Sequence, residues 1–369
     1  MNVLVTGAKG FIGKNLIETL SRMENINILE IDRENSILEL EEAIKKSDFI
    51  YHLAGINRPE NPEEFYKGNR DLIGNLIDIL EKNNLKTPIL VTSSIQAERE
   101  NDYGKSKLEG ENLLKEYSKR NNCPIYIYRL PNVFGKWCRP NYNSVIATWC
   151  NNIANDLEVQ VSDRNIELTF VYIDDIVKKF ASHLNEEKNI ENIYYEIDIT
   201  YRKTLGEILD LLLEFKNNRE NLIISKVGNG FERALYGTYL SYLPKDKFSY
   251  ELKEYKDPRG SFVEILKTVD SGQFSISTSK PGITRGNHYH NTKNEKFLVI
   301  KGEAVIRFRH IYSDEVIEYH VSDKKLEVVD IPTGYTHNIT NTGTDEMVLV
   351  LWANEQFDRE NPDTYYLEV

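Results

Sequence analysis

Three groups of residues in this 369-residue chain combine reactive side chains with the spacing that chemistry requires. The first is Gly7-x-x-Gly10-x-x-Gly13, directly after the apolar run Val3-Leu4-Val5 and opening the amphipathic stretch Phe11–Leu20. Glycines there permit a tight turn and close backbone approach, so that the N–H groups of a helix terminus can meet a pyrophosphate. Asp32 follows, placed to bond the ribose 2′-hydroxyl of NAD, whereas Arg33 beside it would pair with the 2′-phosphate of NADP; the residues alone leave both open. The second group is Ser94, Tyr103 and Lys107. A tyrosine titrates near pH ~10, so exchanging a proton near neutrality needs a neighbouring ammonium. Tyr103 and Lys107, four apart on a helix, share a face, and Ser94 at a strand end can orient a substrate oxygen. The same Tyr-x-x-x-Lys spacing recurs at Tyr289 and Lys293, where it follows no such strand and is given no role. The third group is His288, His290, Glu295 and His337. Two histidines one residue apart on a strand point to one side. With Glu295 and His337 from neighbouring strands they would set three imidazoles and a carboxylate around a point, a set suited to zinc, iron, manganese or nickel.

These residues need elements to position them. Over the first 130 residues, short β-branched runs (Val3–Thr6, Ile26–Ile31, Phe49–Leu53, Ile89–Ser93, Ile125–Leu130) alternate with helical periodicity, as in Leu72, Leu76, Ile77 and Leu80. This predicts an α/β, Rossmann-type doubly wound parallel sheet. From about residue 250 helical periodicity fades. Runs at Phe262–Lys267, Phe297–Ile300, Ala304–Phe308, Glu327–Ile331 and Met347–Trp352 lie between Pro/Gly turn signals, predicting a C-terminal all-β barrel. The expected domains are 1–245 and 250–369, with the boundary near Tyr242–Glu254.

A net charge of −12 argues against a phosphate-gripping nucleic-acid binder. The sequence has no basic leader and no apolar run of about 18 residues, so no membrane insertion is expected. Cys123, Cys138 and Cys150 are odd in number and lack metal-ligand spacing, which fits a reduced, cytoplasmic protein.

The first half resembles the extended short-chain dehydrogenase/reductase family. His52-Leu-Ala-Gly55, Arg129-Leu-Pro-Asn132-Val-Phe-Gly135 and Phe170-Val-Tyr-Ile-Asp-Asp175 carry the resemblance alongside the glycine motif. It implies Ser94, Tyr103 and Lys107 as the catalytic set, with Leu53, Ala54 and Lys107 joining Gly7, Gly10, Gly13, Asp32 and Arg33 around the cofactor. The second half resembles the cupin superfamily through Gly282-x5-His288-x-His290-x4-Glu295-x6-Gly302 and Pro332-x-Gly334-x2-His337-x3-Asn341. Leu326 stands where the second motif usually opens with glycine. Asp257-Pro-Arg-Gly260-Ser-Phe262-Val-Glu264 resembles the entry segment of cupin-fold deoxysugar epimerases. Together the halves resemble the bifunctional reductase–epimerases of bacterial capsular polysaccharide synthesis.

That resemblance implies that the cupin inverts carbon 3 of a UDP-linked 4-keto-6-deoxy-N-acetylhexosamine. The reductase then removes the 4-ketone with NADPH (NADH being the other option), giving UDP-2-acetamido-2,6-dideoxy-L-talose, a precursor of UDP-N-acetyl-L-fucosamine. A divalent metal, zinc first, is expected at the histidine cluster, as either Lewis acid or brace. Arg285 beside the histidine cluster, and Arg139 and Arg164 in the reductase half, could hold the diphosphate, but each reads first as a plain surface arginine. Alternatives are a metal-dependent dioxygenase in the second half, a non-catalytic sugar-sensing or dimerisation cupin, and a 4-epimerase with tightly bound NAD in the first. Pairing of barrel edge strands predicts a homodimer or higher homo-oligomer.

Overall fold

The computed structural model describes residues 1–186, 189–358 and 360–369. The chain divides into two compact units: Met1–Leu212 with Gly230–Pro244, and Leu213–Asn229 with Lys245–Val369. The second unit therefore also draws on a segment well upstream of residue 245.

In the first unit β1 (Asn2–Thr6), β2 (Asn27–Ile31), β3 (Phe49–His52), β4 (Ile89–Ser94) and β5 (Ile125–Leu130) form a parallel sheet in the order 2-1-3-4-5, with Tyr194–Tyr195 beyond β5. All four residues of β3 are buried. Helices cover both faces, with separate apolar clusters around Leu16, Tyr51 and Phe180 and around Leu4, Ile77 and Leu114. Such burial is the usual state of a parallel sheet and explains the near-continuous apolar runs. The order places a topological switch point between β1 and β3, where ligands bind at the carboxyl ends of strands.

The second unit is antiparallel and β-rich. One sheet runs Gly260–Thr268, Gln273–Ser279, Met347–Ala353, Glu295–Lys301, Val328–Ile331; its outer edge includes Ile223–Ile224, which pairs in parallel with Lys267–Thr268. The other runs Val316–Ser322, Glu303–His310, Tyr335–Asn341, Thr284–Tyr289, Tyr365–Tyr366. Phe297, Ile306, Phe308, Ile339 and Leu349 fill one part of the interior. The alternation of buried and partly exposed residues along Glu295–Lys301 is that of half-buried strands. Among the described residues, no helix is long and apolar enough to cross a membrane.

Candidate active sites

The glycine loop occupies the switch point. Gly7 takes φ +69°, and a Cβ there would lie 2.8 Å from Ala54 N. At Gly13 a Cβ would stand 2.3 Å from Gly7 O, so glycine alone lets α1 (Phe11–Leu20) sit against the turn. Gly10 begins that helix without a side-chain cap, which leaves its first-turn amides available to an anion. Leu53 and Ala54 are tied to the end of β1 by Leu53 N–H to Thr6 O (3.2 Å) and Ala54 N–H to Thr6 Oγ1 (3.4 Å).

Asp32 is already engaged by backbone. Its Oδ2 accepts Lys9 N–H at 2.8 Å and its Oδ1 accepts Arg33 N–H at 2.8 Å. Lys9 pairs through its ammonium with Glu34, whereas Arg33 is exposed.

Ser94, Tyr103 and Lys107 are brought together. Asn101 caps the Asp102–Asn121 helix by accepting Gly104 N–H at 2.8 Å. Gly104 has no Cβ to strike Gln96 O, 2.1 Å from where one would be, so the first turn packs on the Ile95–Glu98 turn that follows Ser94. Ser94 accepts Gln96 N–H at 3.1 Å and hydrogen-bonds the Tyr103 hydroxyl. Burial pushes the Tyr103 phenol up, and the Ser94 hydrogen bond only partly counters it. The expected lowering by Lys107 is not expressed here. The ammonium lies 6.0 Å from the Tyr103 ring centroid and donates to Thr92 O at 3.2 Å. Burial in turn brings Lys107 down to about 8, against the attraction of Glu111. Gly55 gives the ammonium room, since a Cβ would come within 3.1 Å of Nζ.

Two supporting residues escaped sequence reasoning. Asn69, in a π-helical turn at Lys67–Asp71, bonds Ile56 N and Ile56 O (both 3.0 Å) and Ser106 Oγ (3.1 Å). Glu111 is buried behind β4, held by Ser93 at 2.5 Å, Arg129 at 2.6 Å and Tyr194 at 2.8 Å. Neither has a spacing signal; a buried polar group is visible only once its partners are. Of the three arginines, Arg164 is bound to Asp210 at 2.7 Å and Arg139 lies 5.4 Å from the Tyr142 ring centroid. Arg285 lines a cavity in the second unit.

In that second unit His288, His290, Glu295 and His337 converge, their ligand atoms all within 4.8 Å of one another. His288 and His337 are register partners on adjacent strands, past an irregularity at Gly286–His288 with Asn287 at φ +60°. Glu295 was expected from a neighbouring strand. It comes instead from the other sheet, where it pairs with Ile331 and Ala353, so the cluster bridges the two sheets. Its Oε2 stands 3.4 Å from both His290 Nε2 and His337 Nε2. Burial disfavours the Glu295 anion, but the two imidazoles outweigh it and hold the carboxyl well below its usual range. Burial, followed by His337 and His290, pushes His288 down to about 4, keeping it neutral as a ligand must be. His290 Nε2, Glu295 Oε2 and His337 Nε2 are buried without hydrogen-bond partners. Buried lone pairs left unmatched are costly, and these converge as a divalent cation would require.

The cluster lines a cavity of ≈ 320 Å³. Gln273, Ser277, Ser279, Glu264 and Arg285 form a polar wall, and Phe297, Ile339, Leu349 and Leu351 an apolar one. Ser275, also on the buried face of Gln273–Ser279, leaves its hydroxyl unpartnered.

A glycine turn at a switch point with a Ser–Tyr–Lys set fits a nicotinamide-dependent class of enzyme, and the same chain carries a β unit with a cation-type cluster. The chain belongs to the NAD dependent epimerase/dehydratase family, which matches residues 3–197, and this makes a nicotinamide dinucleotide its cofactor. A polysaccharide biosynthesis C-terminal domain matches residues 255–365. Across its whole length the chain is 50% identical to a UDP-2-acetamido-2,6-beta-L-arabino-hexul-4-ose reductase of Pseudomonas aeruginosa, covering 99% of that protein. It is 55% identical to the capsular polysaccharide assembling protein CapF of Staphylococcus aureus, with a TM-score of 0.94 over 100% of both chains. A UDP-glucuronic acid 4-epimerase of Bacillus cereus, 22% identical with a TM-score of 0.53 over 59% of this chain and 84% of its own, shares the fold of the first unit.

Proposed function

We propose that the protein carries out two successive steps on one nucleotide sugar. The cupin-like part, residues 250–369, epimerises carbon 3 of a UDP-linked 4-keto-6-deoxy-N-acetylhexosamine. The part within residues 1–245 then reduces the 4-ketone with NADPH. The product is UDP-2-acetamido-2,6-dideoxy-L-talose, for capsular polysaccharide or O-antigen synthesis in the cytoplasm. The observation carrying this reading is the complete Ser94–Tyr103–Lys107 set and the complete four-residue cluster on one chain, matched end to end by a hexul-4-ose reductase.

The order follows from carbonyl chemistry. Hydrogen on carbon 3 is acidic only while carbon 4 is a ketone, so inversion must precede reduction. In the first unit Ser94 orients the ketone oxygen and Lys107 holds the nicotinamide ribose. The nicotinamide dinucleotide, when bound, would supply the hydride for carbon 4, and Tyr103 would give its proton to the ketone oxygen, so that the alcohol and the oxidised cofactor result. Both Asp32 oxygens serve backbone amides while Arg33 stays open to a 2′-phosphate, which supports NADPH over NADH. His288, His290, Glu295 and His337 would hold a divalent ion, zinc first, which when bound supplies a Lewis acid for the ketone. Phe274, Ile300 and Val328, 43%, 42% and 57% exposed on one sheet of the second unit, support a homodimer covering that face.

The test is proton NMR of the keto-sugar in deuterated water, first without and then with NADPH. Deuterium entering carbon 3 before reductant, followed by NADPH-dependent loss of the ketone, is the expected sequence. Reduction with no exchange would leave the cupin a sensing or dimerisation module.

A further inference from the structure

The metal-type cluster is braced by a segment 68 positions after Glu295 in sequence. His290 Nδ1 lies 2.6 Å from Asp363 O. A carbonyl can only accept, so Nδ1 carries the proton and Nε2 keeps the lone pair that faces Glu295. The Asp363 carboxylate serves the loop after His290. It accepts Asn291 N–H at 3.1 Å, Thr292 N–H at 2.8 Å, Lys293 N–H at 2.9 Å and the Thr292 hydroxyl at 2.9 Å. One residue thus fixes the ring of one ligand and the backbone between that ligand and Glu295. Asp363 itself sits at φ +36°, a conformation a non-glycine residue keeps only when its surroundings enforce it.

The flanking residues reach the other ligands. Lys293 Nζ donates to Pro362 O at 3.0 Å. Tyr365–Tyr366 pair with His288–Tyr289, Leu367 N–H donates to Asn287 O at 3.0 Å, and Thr336, beside His337, donates to Leu367 O.

We propose that Asp363 is the positioning residue of the metal site: its carboxylate holds the ligand-bearing loop and so keeps its own backbone carbonyl on His290 Nδ1, which fixes the tautomer. This rests on the reading that the cluster holds a divalent ion. The experiment titrates full-length protein with zinc in competition with a chromophoric chelator and records the visible spectrum of the cobalt form. Asp363→Ala is expected to weaken zinc retention by about ten- to a hundredfold and to shift the cobalt bands, since partners behind ligands act on that scale. Thr364→Val, which removes a 3.4 Å contact to Lys293 and the hydroxyl's 2.8 Å bond to Pro362 O but no contact to a cluster residue, should retain zinc as the parent does. Asp363→Asn, of equal size, covers a failure of the alanine variant to fold: a severalfold loss supports the proposal. Parent-like retention and an unshifted spectrum in either folded variant overturn it. If the parent and His337→Ala take up zinc equally poorly, the metal reading itself fails, which is a separate result.

Discussion

Lys107 carries a charge into surroundings that disfavour it. Burial takes its pKa from 10.5 to about 8, with Glu111 acting in the opposite direction. Holding the ammonium protonated at pH 7 therefore destabilises the folded state by about 3 kcal/mol, at roughly 1.4 kcal/mol per pKa unit. The folded pKa lies below the unfolded one, so between 8 and 10.5 the folded state binds fewer protons and stability rises with pH. The penalty falls to about 2 kcal/mol at pH ~9 and fades above pH ~10.5. Lys107→Met removes the charge and keeps most of the side-chain volume. Subtracting about 1 kcal/mol for the lost bond to Thr92 O, the variant should be more stable than the parent by about 2 kcal/mol at pH ~7, with the gap narrowing at pH ~9. It should also reduce the keto-sugar at least about a hundredfold more slowly. Thermal melts at the two pH values, followed through hydrogen exchange of the Asp102–Asn121 helix, read the stability of this unit separately. A variant melting below the parent at pH 7, or a gap indifferent to pH, would refute the reasoning.

Tyr103→Phe should lower kcat for reduction by about 10²–10⁴-fold while NADPH fluorescence titration gives unchanged binding; retained turnover would remove the tyrosine as proton donor. Gly13→Ala forces a Cβ to within 2.3 Å of Gly7 O, so dinucleotide binding should be lost in the same titration, and parent-like affinity would mean that the turn relaxes freely. Stripping the metal with a chelator should stop deuterium entry at carbon 3 yet leave reduction of already inverted sugar running, and exchange persisting in stripped protein would reduce the ion to a brace.

The parallel sheet was legible because its inner strands are buried on both faces, so β1, β3 and most of β4 and β5 appear as nearly continuous apolar runs, whereas β2, at the edge, carries exposed Asn27 and Glu30. The glycine turn and the Tyr103–Lys107 pair lie close in sequence, where spacing carries geometry. The Gln273–Ser279 strand gave no such signal because its polarity is inverted: Gln273, Ser275, Ser277 and Ser279 face inward while Phe274 is exposed. Val316–Ser322 is mostly exposed and two-sided, so alternation had nothing to mark. The four cluster residues were found from spacing, but the sheet that delivers Glu295 was not, since facing strands leave no trace in sequence separation. Ile223–Ile224 is two residues long, too short for any periodicity to assign Leu213–Asn229 to the second unit. Leu326, which stands where the cupin-type pattern usually has glycine, does not take a positive φ, so its backbone needs no glycine.

The serines that line the second unit's cavity bear on the fate of its ligand. A sugar before and after inversion of one carbon presents two opposite arrangements of donors and acceptors to the same wall. A rigid amide or charge would match one and repel the other. A hydroxyl gives or takes a hydrogen bond by turning about a single bond, faster than any ring can leave. On the reading that this cavity takes the keto-sugar, Ser277 and Ser279 can follow the inverting carbon, while Gln273, Glu264 and Arg285 are left to hold the parts of the sugar that do not change. The pocket does not set the balance between the two forms: a catalyst leaves that to the relative energies of the sugars in water, and net flow is driven by whichever irreversible reaction draws one of them away.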